Sequence, residues 1–317
     1  MRNLIIYESK YGTTKESSEI LAKIIGYSKI IKTEDFKDDD KNFENYIILS
    51  PIYNEAIHKK IRSFIVDNKE WLIKKDVYFC IVNLSGRAEF YLKEIKDILK
   101  DSLIIMQSIN GNLILERLDK EDFEAIKRFF LIMNLPLEDN IKFDINEVVQ
   151  VAINIKYKIE DRKESLSKEV VKKVIKKFIS NHNTCVLCTS YENQPRATPI
   201  EYIYYNDTFY FISEGGIKFA NILRSNKVSI GIFDNYKDMK KIGGIQITGE
   251  ATNIEYLSDE YLEVMKLRNI SMNTIKKLDI ILNVFKVSVE KFEVLNTEFK
   301  RYNGDVKQIL NIISDNK

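Results

Sequence analysis

The first half of the chain alternates short apolar runs with longer amphipathic segments. Five runs have the length and β-branched content of strands: NLIIYE, KIIK, YIILS, DVYFCIV and SLIIMQS. Their continuous apolar character is typical of strands buried on both faces, as in a parallel sheet. The segments between them repeat apolar residues at helical spacing. The pattern therefore predicts an α/β domain with a doubly wound parallel sheet of five strands.

The second half has a different pattern, made of short runs rich in β-branched and aromatic residues. These runs are TCVLCTSY, RATPIEYIYY, TFYFIS, KVSIGIFD and GIQITGEATNIE, and turn residues separate them. A helical stretch, DEYLEVMKL, and a last strand, VFKVSVEKFEVLN, follow. This spacing predicts a mainly β domain built as an antiparallel barrel or sandwich. We place the boundary in the charged stretch EDRKESLS and expect domains at residues 1–160 and 161–317.

Composition and charge narrow the classes of partner. The 317 residues include 49 Lys and Arg against 47 Asp and Glu, a net charge of +2, so no global field favours nucleic acid. No apolar stretch reaches the length of a membrane span, and the N-terminal apolar run is too short for a signal peptide. We therefore expect a cytoplasmic protein without a membrane span or a nucleic-acid partner.

Cysteine and histidine are scarce. Three cysteines and two histidines argue against a disulfide framework and against histidine-based metal sites, so we expect no metal. Cys185 and Cys188 lie three apart in a predicted strand, which points them to opposite faces. They would not grip one ion together.

The stretch IIYESKYGTT at residues 5–14 carries the first candidate chemistry. A strand that ends in a loop of small residues before a helix directs backbone N–H groups and the positive end of the helix at one point, which suits a phosphate. Ser9, Thr13 and Thr14 add hydroxyl donors, and Gly12 permits a positive φ. The loop is neither a Walker A motif nor G-x-G-x-x-G, which disfavours nucleoside triphosphates and dinucleotides. From spacing alone, a plain βα turn with a threonine N-cap remains an equal alternative.

Three loops together resemble the flavodoxin family over residues 1 to about 158: IIYESKYGTT, LSPIYNEA and VNLSGRAEF. Their details are most similar to the flavodoxin-like domain of one type of protoporphyrinogen oxidase. The resemblance implies flavin mononucleotide (FMN), with its phosphate at the first loop and its ring between the other two. The implied phosphate residues are Ser9, Lys10, Tyr11, Gly12, Thr13 and Thr14, and the implied ring residues are Pro51, Tyr53, Asn54, Leu84, Ser85 and Gly86.

The order of motifs from about residue 166 to 310 resembles the FMN-binding split barrels related to pyridoxamine 5'-phosphate oxidase. The matching segments are QPRATPIEY, FISEGGIKFANI and GIQITGEA. The resemblance implies that Arg196 and Lys218 bind phosphate with help from Ser213. It also implies that Thr198 and Pro199 line the flavin ring and that Gln246 hydrogen-bonds near it. Such barrels usually dimerise with flavin at the interface, so we expect a homodimer.

These resemblances lead us to expect a flavin-dependent oxidoreductase or electron-transfer flavoprotein with one or two FMN per chain, relaying electrons between two flavin sites. Its redox partner would be a small molecule or a protein, and a nicotinamide donor, NADH or NADPH, would have to bind transiently over the flavin. Protoporphyrinogen oxidation is a narrower hypothesis. The alternatives are a non-catalytic electron-storage protein and a protein with one empty site; turnover with NAD(P)H distinguishes the first of these from an enzyme. The catalytic residues and the substrate stay unassigned.

Overall fold

A computed structural model describes residues 2–53, 56–84, 89–163, 165–238 and 240–312, without the side chains of residues 89, 90 and 92. The chain forms two compact units, residues 1–163 (the N-terminal unit) and residues 164–317 (the C-terminal unit).

The N-terminal unit is built on a parallel sheet. Its strands are β1 (Asn3–Tyr7), β2 (Ser28–Lys32), β3 (Asn45–Tyr53), β4 (Ala56–Ile57), β5 (Asp76–Asn83), β6 (Leu103–Asn110), β7 (Asn112–Leu113) and β8 (Asn140–Ile141). The parallel strands stand in the order β2-β1-β3-β5-β6, while β4 adds to β3 as a short antiparallel strand and β7 pairs with β8. The break in numerical order, with β1 between β2 and β3, is the arrangement that a doubly wound sheet requires.

Helices cover both faces of this sheet. They are α1 (Thr13–Ile25), α2 (Lys59–Asp67), α3 (Lys69–Leu72), α4 (Glu89–Leu99), α5 (Lys120–Ile132) and α6 (Ile145–Asp161). Alternate strand residues face opposite ways, so that Ile48 and Phe79 pack with α2 and α4. Ile47 and Tyr78 pack with α1 and α6 on the other face. Burial on both faces explains why the strands read as continuous apolar runs.

The C-terminal unit is built on one antiparallel sheet. Its strands are β9 (Thr184–Tyr191), β10 (Gln194–Glu201), β11 (Ile203–Tyr205), β12 (Thr208–Ser213), β13 (Lys227–Phe233), β14 (Gly243–Ile254), β15 (Asn283–Asn296) and β16 (Lys307–Asn311). They stand in the order β10-β9-β13-β14-β15-β12-β11, with β16 beside β15. Its helices are α7 (Lys168–Ser180), α8 (Ile217–Arg224), α9 (Asp259–Leu267) and α10 (Met272–Lys277).

The larger core cluster of this unit lies on one face of the sheet, and a smaller cluster under α9 and α10 packs on the other face around Val284. Leu187, Ile230 and Ile247 are fully buried neighbours on β9, β13 and β14, and α7 adds an apolar face to the same cluster. The two sheets, one parallel and covered by helices and one an antiparallel half-barrel, confirm the fold class predicted from the sequence.

Gly249 marks the point where the register of β14 against β15 shifts. A Cβ at this position would clash with the carbonyl oxygen of Ser288 and come within 2.9 Å of Val287 Cγ1. Gly244, on the same strand, is a matched comparison, because its added Cβ would meet nothing closer than 3.9 Å.

We predict that Gly249→Ala lowers the free energy of unfolding by about 1–3 kcal/mol, the usual cost of overpacking a rigid site. Gly244→Ala should change it by no more than about 0.5 kcal/mol. Urea unfolding followed by circular dichroism measures both, and equal effects of the two substitutions would contradict this account of the bulge.

Candidate functional site

A cleft of about 240 Å³ lies at the carboxyl ends of the parallel strands in the N-terminal unit. The loop after β1 forms its first wall, the end of β3 its second, and the end of β5 its third. The segment after β6, residues 111–126, forms a fourth wall. Carboxyl ends of parallel strands at a change of strand order are where open α/β sheets bind ligands.

The loop after β1 is shaped for an anion. Gly12 has φ +100°, a conformation that favours glycine, and its N–H donates to Ser9 Oγ over 3.1 Å. The helix begins there, because the Glu16 N–H donates to the Gly12 carbonyl. Within the described ranges, no side chain caps α1 by a hydrogen bond. The first N–H groups of the helix therefore have no intrahelical partner and point toward the loop, beside the hydroxyls of Thr13 and Thr14.

Tyr53 connects the first and second walls. Its hydroxyl accepts a hydrogen bond from the Lys10 backbone N–H over 3.2 Å. Its ring makes edge contacts with Tyr11 at 5.9 Å and His58 at 6.0 Å between centroids. Burial raises the pKa of Tyr53 and lowers that of His58, so both side chains are favoured in their neutral forms. Tyr53 is thus a partly buried aromatic wall of the cleft, in contact with the loop after β1.

The fourth wall is tied to the loop by charge. Lys10 Nζ lies 2.5 Å from Asp119 Oδ2 and 2.6 Å from Asp122 Oδ2. The Tyr11 hydroxyl donates a short hydrogen bond to Asp122, and burial together with this bond raises the pKa of Tyr11. Hydrogen bonds from the backbone of α5, and then Lys10, hold the pKa of Asp119 below its ordinary value.

The predicted residues of this unit divide into three groups. Seven line the cleft: Tyr11, Gly12, Thr13, Thr14, Pro51, Tyr53 and Leu84. Ser9 shapes the loop through Gly12, and the Lys10 side chain is engaged by the fourth wall. Asn54, Ser85 and Gly86 lie outside the described residues.

Sequence reasoning missed the fourth wall. It contributes Gly111, Leu113, Ile114, Arg117, Leu118, Asp122 and Ile126 to the cleft. The signal was the sequence NGN directly after the fifth apolar run, at the same strand edge as the other loops. Gly111 allows a close approach there, because its N–H donates to the Asn83 carbonyl over 2.6 Å and an added Cβ would lie 3.3 Å from Val82 Cγ1.

The C-terminal unit places three predicted residues around the start of α8. The Gly215 carbonyl accepts hydrogen bonds from Lys218 Nζ and Ser213 Oγ. Lys218 is buried, and desolvation lowers its pKa; the nearby Glu214 opposes this shift, and the charge of Arg196 adds to it. The Lys218 ammonium lies next to a turn in which Gly215 and Gly216 both have positive φ. Because desolvation is the main cause of the lowered pKa, a bound anion would stabilise the charged form of Lys218.

The other predicted residues of this unit divide between the faces of the sheet. Backbone pairing puts Pro199, Val186, Gly231 and Gln246 in one row across four strands, so their side chains share the face opposite the core. Thr198 lies on the same side of β10 as Arg196, and its buried hydroxyl has no hydrogen-bond partner among the described residues. The structure therefore does not put Thr198 and Pro199 on one surface.

Cys185 is buried and Cys188 exposed, which confirms their expected opposite orientation.

Two family models match the chain, one in each unit. Residues 4–133 match the model described as Flavodoxin domain, and residues 171–296 match the model described as Pyridoxamine 5'-phosphate oxidase. No curated protein matches the chain.

Solved structures with local similarity include three proteins. A FAD-binding protein from Mesorhizobium loti is 17% identical over 41% of this chain and 92% of its own, with a TM-score of 0.33. HutZ, the heme storage protein from Vibrio cholerae, is 16% identical over 38% of this chain and 89% of its own, with a TM-score of 0.32. General Stress Protein 26 from Bacillus anthracis is 15% identical over 45% of this chain and 98% of its own, with a TM-score of 0.33.

In the part of the chain that the structure describes, no helix is both long and apolar enough to cross a membrane. The two matched ranges fall on the two units, one on each. The chain therefore joins a flavodoxin-like domain to a domain of the pyridoxamine 5'-phosphate oxidase type.

Proposed function

We propose that this protein is an FMN-dependent redox protein that holds one flavin in each unit and passes electrons between them. The observation that carries the proposal is the N-terminal cleft, where the hydroxyl-rich loop at the start of α1 lies beside the surfaces of Pro51, Tyr53 and Leu84. Flavodoxin and pyridoxamine 5'-phosphate oxidase domains typically bind flavin, which supports the same ligand for both sites.

The N-terminal cleft fits FMN by the chemistry of its donors. Ser9, Thr13, Thr14 and the first N–H groups of α1 are uncharged donors arranged around one point, as a phosphate monoester requires. Tyr53 and the apolar side chains of Pro51, Leu84 and Leu113 offer surfaces for a planar ring. The residues of the N-terminal cleft therefore fit FMN.

The C-terminal site fits the same ester by a different chemistry. Arg196 and Lys218 supply positive charge, and Ser213 and the turn at Gly215 supply polar atoms. A buried ammonium such as that of Lys218 costs free energy unless an anion compensates it. The orphaned hydroxyl of Thr198 is a further polar group on the Arg196 side of β10. We assign Pro199 and Gln246 to the opposite face of the sheet, where a partner subunit would bring the ring.

FMN supplies the one- and two-electron chemistry when bound. The chain supplies anchoring, orientation and exclusion of water. In the N-terminal cleft, Tyr11 and Tyr53 are favoured as neutral phenols, so they add no negative charge near the ring. Tyr53 can also donate a hydrogen bond there, whereas the Tyr11 hydroxyl already donates to Asp122. We infer an oxidoreductase or electron-transfer role in the cytoplasm, with a small molecule, a protein or transiently bound NAD(P)H as the redox partner.

We infer that the C-terminal unit pairs with a second copy through the outer face of its sheet. That face carries Cys188, Ser229, Gly231 and Gln246, which are small or uncharged, and Phe233, which is 61% exposed. The same face also carries the ion pair of Lys291 and Glu293, in register with Thr248 and Gln246, so a contact between two copies would be partly polar. The pyridoxamine 5'-phosphate oxidase type of fold is commonly dimeric, which supports a homodimer.

We predict that Gly12→Ala weakens FMN binding at the N-terminal site by about ten-fold, because a Cβ residue at φ +100° strains the loop. Gly26→Ala is the matched control: it puts a Cβ at φ +76° at the other end of α1, outside the cleft. FMN titration in a Lys218→Met background measures this site separately. Equal losses for Gly12→Ala and Gly26→Ala would contradict the phosphate assignment.

We predict that Lys218→Met removes the flavin of the C-terminal unit, while Lys227→Met, which breaks exposed ion pairs to Glu250 and Glu290, leaves the flavin content unchanged. Because burial lowers the pKa of Lys218 from its ordinary 10.5, its ammonium is lost at a lower pH than that of an exposed lysine. FMN affinity at this site should therefore fall as the pH rises toward 10.5, and Lys227→Met should keep that dependence. Unchanged flavin content in Lys218→Met would refute the assignment.

A further inference from the structure

Lys10 has few donors left for an anion. Its backbone N–H donates to the Tyr53 hydroxyl over 3.2 Å. Its ammonium lies 2.5 Å from Asp119 Oδ2 and 2.6 Å from Asp122 Oδ2. Lys10, which the flavodoxin resemblance assigned to phosphate binding, thus has partners for both its backbone N–H and its ammonium.

Both carboxylates come from the start of α5, in the segment that forms the fourth wall. Asp119 is the N-cap of α5, where its side chain accepts from the Asp122 N–H, and Asp122 lies in the first turn. The Tyr11 hydroxyl donates to Asp122, and the Asp119 N–H donates to the Tyr11 hydroxyl over 3.4 Å. Lys10, Tyr11, Asp119 and Asp122 form one cluster between loop and wall, which we name the charged clamp.

The charge of the clamp argues against anion binding by Lys10. One ammonium faces two carboxylates, so the clamp carries a net negative charge beside the loop. The net negative charge of the clamp repels a phosphate. The N–H groups of α1 and the hydroxyls of Thr13 and Thr14 remain suited to bind it. Lys10 is therefore better suited to hold the first and fourth walls of the cleft together.

We propose that Lys10 is a positioning residue, which holds the fourth wall against the loop through Asp119 and Asp122, and that its ammonium does not bind the phosphate. The proposal rests on the FMN site proposed above for its functional meaning. The fastening itself is a property of the chain and is measurable without ligand. Its consequence is that residues 115–126 close the cleft only while the clamp is made.

A charge swap tests this. Lys10→Glu breaks the clamp, and Lys10→Glu with Asp122→Lys rebuilds it with reversed polarity and the same net charge. Asp122 is the better position for the swap, because its side chain is 20% exposed against 49% for Asp119 and its pairing is less screened. Hydrogen exchange of the peptides covering residues 115–126 is measured in the full-length, flavin-free protein, with α6 peptides as the internal control.

We predict that Lys10→Glu speeds exchange at residues 115–126 by about three- to five-fold, the range expected for losing partly shielded ion pairs. The swap should return it to within about two-fold of the natural protein, with α6 unchanged throughout. The affinities for FMN and for riboflavin should fall in Lys10→Glu and recover together in the swap.

Two results would overturn the proposal. One is a hydrogen-exchange rate at residues 115–126 that does not change in Lys10→Glu, or that changes but is not restored by the swap. The other is a swap that restores riboflavin binding but not FMN binding, which would make the Lys10 ammonium a phosphate ligand after all. If the natural protein binds neither flavin, the proposed function fails, and the exchange data still decide whether the clamp exists.

Discussion

Parallel pairing of β1 with both β2 and β3 is the constraint on which the N-terminal unit depends. Because all five parallel strands run in the same direction, each connection between them crosses one face of the sheet. The carboxyl ends of all five strands therefore lie at one edge of the sheet. The loop at residues 9–14, the end of β3 at Tyr53 and the turn at Gly111 meet there for that reason. The cleft is a product of the topology, and side chains then decide what it binds.

The two units solve one chemical problem in different ways. In the N-terminal unit the anion site consists of backbone N–H groups and hydroxyls, and the nearby lysine is already paired with Asp119 and Asp122. In the C-terminal unit the anion site has a buried lysine, and desolvation makes the charged form of Lys218 less favourable than that of an exposed lysine. The first site should therefore respond mainly to loop geometry, and the second to pH and salt.

The sequence predicted the fold because continuous apolar runs and alternating aromatic runs report burial directly. It also located the loop at residues 9–14, since glycine and hydroxyl residues that follow a buried strand and precede a helix are typical of an anion-binding turn. It could not locate the fourth wall: Asp119 and Asp122 lie more than one hundred residues from Lys10, and only the folded chain brings them together. Strand alternation alone already separates Thr198 from Pro199, but the sequence could not show which of the two faces of β10 meets the core.

The account predicts two separate flavin sites in one chain, each able to accept two electrons. An anaerobic reductive titration of FMN-saturated protein, freed of unbound flavin, tests this claim most directly. We expect about four electrons per chain and full loss of the oxidised flavin absorbance. A chain that retains only one flavin or none, and so takes up about two electrons or fewer, would contradict the account.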